Sequence, residues 1–292
     1  SRAEVKNIKF YSNDEGILSL MYHRFNEEKY PSTNIQMDIF KKQLQIIKNL
    51  KYNFYNPEDL VKEFHIPKTE KKILLTIDDA FSSFYEFAWP YLKTENIPFI
   101  LFVSTKSVGQ NGYMTWGQIK ELEKEKEVYI GSHSHAHDYL VDLTNKNFIN
   151  DINISSSIFK KKLGYNPIFF SYPFGEYSNN FKSIIKDFGF KYAFGQHSGV
   201  LDDTKDFFEL PRFPINEKYG DLKRFKTLTK TLPFKYKNLF PTEKYLNQSQ
   251  NPPEVRIEFF DNVKNIDKIS CYSNEGNIWK KSEIIFMNKK NI

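Results

Sequence analysis

Short, continuous apolar runs alternate with helix-period segments from residue 17 to residue 215. The runs Ile17–Tyr22, Ile73–Ile77, Pro98–Val103, Val128–Gly131, Ile168–Tyr172, Lys191–Phe194 and Phe207–Leu210 read as strands buried on both faces. Between them, apolar residues recur at three- and four-residue steps. Asn34–Leu50 places Met37, Phe40, Leu44 and Ile47 on one helix face. Asn145–Leu163 does the same with Phe148, Ile152, Phe159 and Leu163 before Gly164 ends it. Thr115 is a natural N-cap for a helix over Thr115–Lys124, and Gly189 closes one over Asn179–Phe188. Pro90 must kink or restart the helical segment Phe84–Lys93. The alternation predicts an α/β fold with a mainly parallel sheet. Seven strands at this spacing suit a distorted, incomplete (β/α)7 barrel. A doubly wound sheet is disfavoured, because no glycine-rich dinucleotide loop follows an early strand.

The pattern changes after Pro214. Asp221–Lys230 reads as one more helix, and Asn247–Pro253 as a linker. Val255–Phe260, Lys268–Tyr272 and Ile284–Met287 read as short strands. The expected division is a barrel domain at 1–218, a helix and linker at 219–253, and a short β-rich extension at 254–292. That extension is too small for an independent β domain and is either padding for the barrel or part of a larger β module.

Composition narrows the class. Of 292 residues, 40% are hydrophobic and 27% charged, which suits a folded domain rather than a disordered one. Apolar runs such as Ile97–Val103 are too short to span a bilayer. No signal peptide is visible, and a chain opening on Ser1 without Met is expected to have a processed or trimmed start. The net charge of +6 comes from scattered lysines with no dense basic stripe, so no nucleic-acid partner is expected. The single cysteine, Cys271, excludes an intrachain disulfide and a zinc–thiolate site. The 28 Phe and 18 Tyr supply a phenylalanine-rich core, with exposed rings left over as faces on which sugars pack.

Three constellations carry chemistry, and each falls at a strand end. Asp78 and Asp79 follow the run ending at Ile77, where helix capping accounts for one carboxylate more comfortably than for two. His133, His135 and His137 lie within Gly131–Asp138, and on a helical turn His133 and His137 project to one side while His135 points elsewhere. Two imidazoles and one carboxylate leave a zinc position open, as in catalytic rather than structural sites. Ser171-Tyr172-Pro173-Phe174-Gly175 is the third, by itself readable as an ordinary turn. In a barrel, chemistry gathers at the C-terminal ends of the strands.

These segments resemble the NodB-homology polysaccharide deacetylases, carbohydrate esterase family 4. Thr76–Ala80 is similar to the family's T-F-D-D-G, with Ile for Phe and Ala for Gly. His133, Ser134 and His137 meet H-[ST]-x-x-H, and Pro173 and Gly175 survive from R-x-P-Y-G, with Ser171 in place of Arg. Met21-Tyr22-His23-Arg24 and the weak third motif look most like the branch acting on exopolysaccharides such as poly-N-acetylglucosamine. The resemblance implies that Asp79, His133 and His137 hold a divalent metal ion, zinc first, and that Asp78 is the general base for water attacking the acetyl carbonyl. It also implies an oxyanion donor near Tyr172 and Pro173, a polysaccharide partner, and a place in the cell envelope or outside the cell. A monomer is the default oligomeric state. The missing Arg is either replaced by Arg212, or Arg212 is a surface residue. The family's late Leu-x-His motif is not evident. His197 and His23 are stand-ins for its proton donor, with His23 also on the substrate side, or else Asp78 returns the proton. Two rival readings remain: an inactive carbohydrate-binding barrel, and an amidohydrolase-like site using His133 and His135 as an H-x-H pair.

Overall fold

The structure is a computed structural model and describes residues 15–62, 70–288 and 292. Ser1, and the parts of the expected barrel domain at 1–14 and 63–69, lie outside the described residues. Two units are present among the described residues, one within 15–233 and one within 234–292.

The larger unit is built on seven strands: β1 Ile17–Tyr22, β2 Lys72–Ile77, β3 Phe99–Val103, β4 Val128–Ser132, β5 Phe169–Ser171, β6 Tyr192–Phe194 and β7 Phe213–Pro214. They pair in parallel in the order β7-β1-β2-β3-β4-β5-β6, and Asn53–Phe54 adds a short partner to β2. Helices α1 Met37–Asn49, α2 Trp89–Thr94, α3 Trp116–Glu123, α4 Asn145–Leu163 and α5 Asn179–Asp187 follow the strands in alternation. The result is the curled, incomplete α/β barrel expected from the sequence.

Period-two alternation sorts the strand side chains into two cores. Leu18, Leu20, Tyr22, Ile73, Leu75, Ile77, Phe99, Leu101 and Val103 face the helices with Phe40, Leu44 and Ile47 of α1. Ile17, Leu74, Ile100, Phe102, Phe169 and Phe194 form a second cluster on the opposite face. Each large side chain buried this way contributes about 1.5–3 kcal/mol. Gly131 makes room there, since a Cβ at that position would lie 2.4 Å from the Phe102 ring. The capping box at Thr115 with Gln118, and the left-handed Gly164 after α4, are as the sequence predicts.

The region around Pro90 is a five-residue π-helix, Phe84–Ala88, that passes into α2 with Pro90 in its first turn. The run Phe207–Leu210 is not a strand. Only Leu210 bridges to Phe194 of β6, because Pro211 cannot donate to a ladder. The last strand is β7, which pairs with β1. Leu210–Pro214 therefore touches β6 at one end and β1 at the other, stitching the two edges of the sheet. The unit extends past the expected boundary at 218, because Phe225 and Leu228 of helix α6, Leu222–Leu228, belong to the same core.

The second unit carries two antiparallel pairs, Asn238–Phe240 with Arg256–Glu258, and Cys271–Glu275 with Ile278–Ser282. The latter hairpin turns at Gly276 and Asn277, both at positive φ. Of the strands expected here, Ile284–Met287 is irregular and Lys268–Tyr272 begins in a 3-10 turn at Ile266–Lys268. Strand-like apolar composition in these short runs was not matched by a buried face, and Ile285, Phe286 and Met287 are exposed.

Candidate active site

Asp78 continues the parity of Leu74 and Thr76, which turns its side chain to the inner face of β2. Its N–H donates to Tyr22 C=O, one step beyond the β1–β2 register. The chain then reverses: Asp79 has φ 75° and Ala80 φ 53°, left-handed values unusual for residues other than glycine. Ala80 C=O accepts from Met114 N–H at 2.9 Å, which holds this turn. Neither aspartate caps a helix.

The histidine segment is not a helical turn. It is a loop with Ser134 at φ 66° and His137 at φ 58°. Its polar backbone groups are pinned one by one. Ser104 Oγ donates to His133 C=O, and Thr105 N–H to Ser134 C=O. Asp151 of α4 accepts His135 N–H at 2.8 Å and Ala136 N–H at 2.9 Å on its two oxygens. Ser134 Oγ accepts His137 N–H. Backbone strain held this firmly at converging ligand-type side chains is characteristic of a functional site.

The loop delivers His133 Nε2 and His137 Nε2 to Asp79 Oδ1, at 3.4 Å and 3.2 Å. The candidate ligand atoms of these three residues all lie within 4.8 Å of one another. His133 Nδ1 sits 2.7 Å from Ser171 C=O, and a carbonyl only accepts, so Nδ1 carries the proton and Nε2 presents its lone pair. Burial pushes the His133 imidazole down to about 4, against the pull of Asp78 and Asp79, so it is neutral at ordinary pH. Burial would raise Asp79, but the His137 hydrogen bond and His133 outweigh it and hold the carboxyl well below the usual range. One imidazole with a fixed lone pair, a second imidazole beside it and an ionised carboxylate fit a divalent cation with positions left open for other ligands.

Asp78 stands beside this cluster, its Oδ2 3.9 Å from His133 Nε2. Arg212, wholly buried, donates from Nη1 to Oδ1 at 2.7 Å and from Nη2 to Oδ2 at 2.9 Å. The other donors of the guanidinium go to Gly195 C=O, Thr76 Oγ1 and Ser171 Oγ, and Ser171 Oγ donates on to Asp78. Burial would raise the Asp78 carboxyl, but Arg212 and His133 lower it overall.

A family model described as polysaccharide deacetylase matches residues 65–193, the stretch holding both aspartates, the histidine loop and Ser171. Over that stretch the chain is similar to this family. It is 23% identical over 243 residues to the poly-beta-1,6-N-acetyl-D-glucosamine N-deacetylase of Staphylococcus aureus, covering 73% of this chain and 82% of that protein. The solved structure of IcaB from Ammonifex degensii is similar at 26% identity and a TM-score of 0.66, covering 74% of this chain and 98% of that one. Streptococcus pyogenes deacetylase PplD, in complex with acetate, has the same fold at 24% identity and a TM-score of 0.66, covering 75% of this chain and all of that one.

The remaining sequence candidates divide. His23 is half-buried and lies near both Asp78 and Asp79. His197 is exposed, with its ring 6.1 Å from Tyr177 and its C=O accepting from Arg212 N–H. Tyr172 is a core residue instead of an oxyanion or substrate group. Its side chain is wholly buried, its hydroxyl donates to Phe208 C=O, and its N–H is spent on Phe194 C=O. Pro173, buried, starts the short 3-10 turn Pro173–Gly175. The N–H of Phe174, in that turn, has no acceptor among the described residues. His135 Nδ1 is tied to Thr105 Oγ1 at 2.9 Å, away from the three ligand atoms. Sequence reading missed Ser171 and Asp151. Ser171 was the only polar residue in an aromatic strand, on the same parity as Phe169, and that was its signal.

Proposed function

We propose that this protein removes N-linked acetyl groups from an N-acetylglucosamine polymer of the cell surface or exported matrix, as a metal-dependent hydrolase. What carries the reading is a buried, ionised Asp78, forked by Arg212, set against the convergent Asp79, His133 and His137. Asp79, His133 and His137 would hold the cation, zinc by its nitrogen and oxygen donors, and that ion supplies Lewis acidity toward a water and the acetyl carbonyl.

Asp78 accepts the proton of the attacking water. Arg212 and Ser171 fix the direction of its lone pairs, so the carboxylate needs no reorganisation as the proton arrives. The Phe174 N–H takes the oxyanion role first sought near Tyr172, since it is the donor of that turn left without an acceptor. A C–O bond forms, the C–N bond breaks, and the leaving nitrogen takes a proton to give acetate and a free amine. His23 is the proton donor favoured here over His197, because it is half-buried near both aspartates while His197 is exposed.

The test is acetate release from β-1,6-linked N-acetylglucosamine oligomers, chitin oligomers, peptidoglycan and acetylated xylan, with added zinc, with chelator, and with Asp78→Asn. Release confined to the N-acetylglucosamine substrates, and needing both zinc and Asp78, supports the proposal. Zinc binding with no release from any substrate would make the protein a carbohydrate-binding barrel instead.

A further inference from the structure

Two aromatic rings stand exposed at the edge of the cation site. Phe174 packs against the His137 ring, centroids 4.8 Å apart and planes at 66°. Tyr139 stacks on Phe174 at 3.9 Å with the planes only 4° from parallel. Despite covering each other, the two remain 40% and 49% exposed, respectively. Large apolar rings left in water beside a polar centre call for a partner.

Both rings are presented by fixed backbone. Tyr139 lies between His137, a candidate ligand, and Leu140, which is wholly buried in the core under α4 and α5. Phe174 lies between the buried Pro173 and Gly175, and is held at φ 59° and ψ 4°, a left-handed geometry that costs about 1–3 kcal/mol outside glycine. Gly175 cannot be replaced cheaply, since a Cβ there would lie 2.5 Å from Gln196 Cβ. A strained residue kept in place to hold its ring at the surface is a preorganised contact, and preorganised aromatics lose little entropy on binding.

The flat, C–H-rich face of a pyranose ring is the partner such a stack fits, with its hydroxyls left at the ring edge for water. We propose that the Tyr139–Phe174 stack is a sugar-binding shelf for the unit adjoining the one whose acetyl group is cleaved. It rests on the deacetylase reading of the neighbouring site. Phe174 packs on His137 of the cation site and Tyr139 stacks on Phe174, so the shelf adjoins the site through Phe174. The domain therefore favours a polymer over a single sugar.

The test compares zinc-loaded wild type, Tyr139→Ala and Tyr139→Phe. It measures kcat/KM on N-acetylglucosamine and on its β-1,6-linked tetramer, and calorimetric binding of the fully deacetylated tetramer, which is not turned over. The expected result is a tetramer-over-monomer preference that shrinks about tenfold in Tyr139→Ala and is restored in Tyr139→Phe, with tetramer binding weakened in parallel. An unchanged preference and unchanged binding in Tyr139→Ala would overturn the shelf, as would an equal loss on monomer and tetramer. Tetramer binding that depends on Tyr139, in a wild type that releases no acetate, keeps the shelf and removes the deacetylase reading.

Discussion

Arg212 and Asp78 face each other through two parallel hydrogen bonds, both side chains wholly out of water. Such a pair resists loss of one member more than loss of both, because the survivor is a buried charge without compensation. Arg212→Met should destabilise the protein by about 3–5 kcal/mol in denaturant unfolding. The double variant Asp78→Asn with Arg212→Met should be less destabilised than the two single losses summed. Simple additivity would mean that the pair is not coupled.

The cation site predicts a thermal shift. Zinc at about a hundredfold its Kd should stabilise the fold by about 2.7 kcal/mol, seen as a raised Tm that chelator reverses. Asp79→Asn and His137→Ala should abolish the shift. His135→Ala should keep it, because that ring is tied to Thr105 and not to the ligand cluster. The reverse pattern would hand the site to the His133–His135 pair.

Asp151 touches none of the reacting groups, yet it accepts two consecutive N–H groups of the histidine loop. Asn offers one acceptor oxygen where Asp offers two, so Asp151→Asn should loosen the loop and weaken zinc affinity by about 10- to 100-fold. Competition titration against a chromophoric chelator reads this directly. Unchanged affinity would show that the loop keeps its shape through Ser104, Thr105 and Ser134 alone.

Gly131 sets a packing limit on the strand that leads into His133. Gly131→Ala must push its new methyl into the Phe102 ring, and should cost about 1–3 kcal/mol of unfolding free energy. A neutral outcome would mean that Phe102 has somewhere to move.

Much of this was legible before any coordinates. Strand and helix periods located the seven-strand path almost throughout, because buried parallel strands and one-sided helices write distinct patterns. That the aspartates and histidines meet was legible because they lie close in sequence to strand ends that a barrel brings together, while the choice of Asp79, His133 and His137 as candidate ligands came from the family resemblance. What escaped depended on partners remote in sequence. The sequence left Arg212 as either the replacement arginine or a surface residue, and only the pairing of the adjoining β7 with β1 brings it across to Asp78. Asp151 reads as a polar position on an amphipathic helix until the loop folds onto it. Tyr172 misled because a strand end suggested chemistry while strand parity turned its ring into the core between Phe170 and Tyr177 and turned Ser171 toward Asp78. The C-terminal strands were misplaced because no buried face disciplined their registers.

The stitch made by Leu210–Pro214 also sets an order in time. All three candidate cation ligands have been synthesised once residue 137 leaves the ribosome, but the clamp on the base arrives only with residue 212. A chain ending between those points holds all three candidate ligands while its Asp78 carboxylate still lacks the Arg212 fork. Joining the two sheet edges and fixing the Asp78 carboxylate are then a single event, and on the proposed mechanism hydrolysis waits for the last strand.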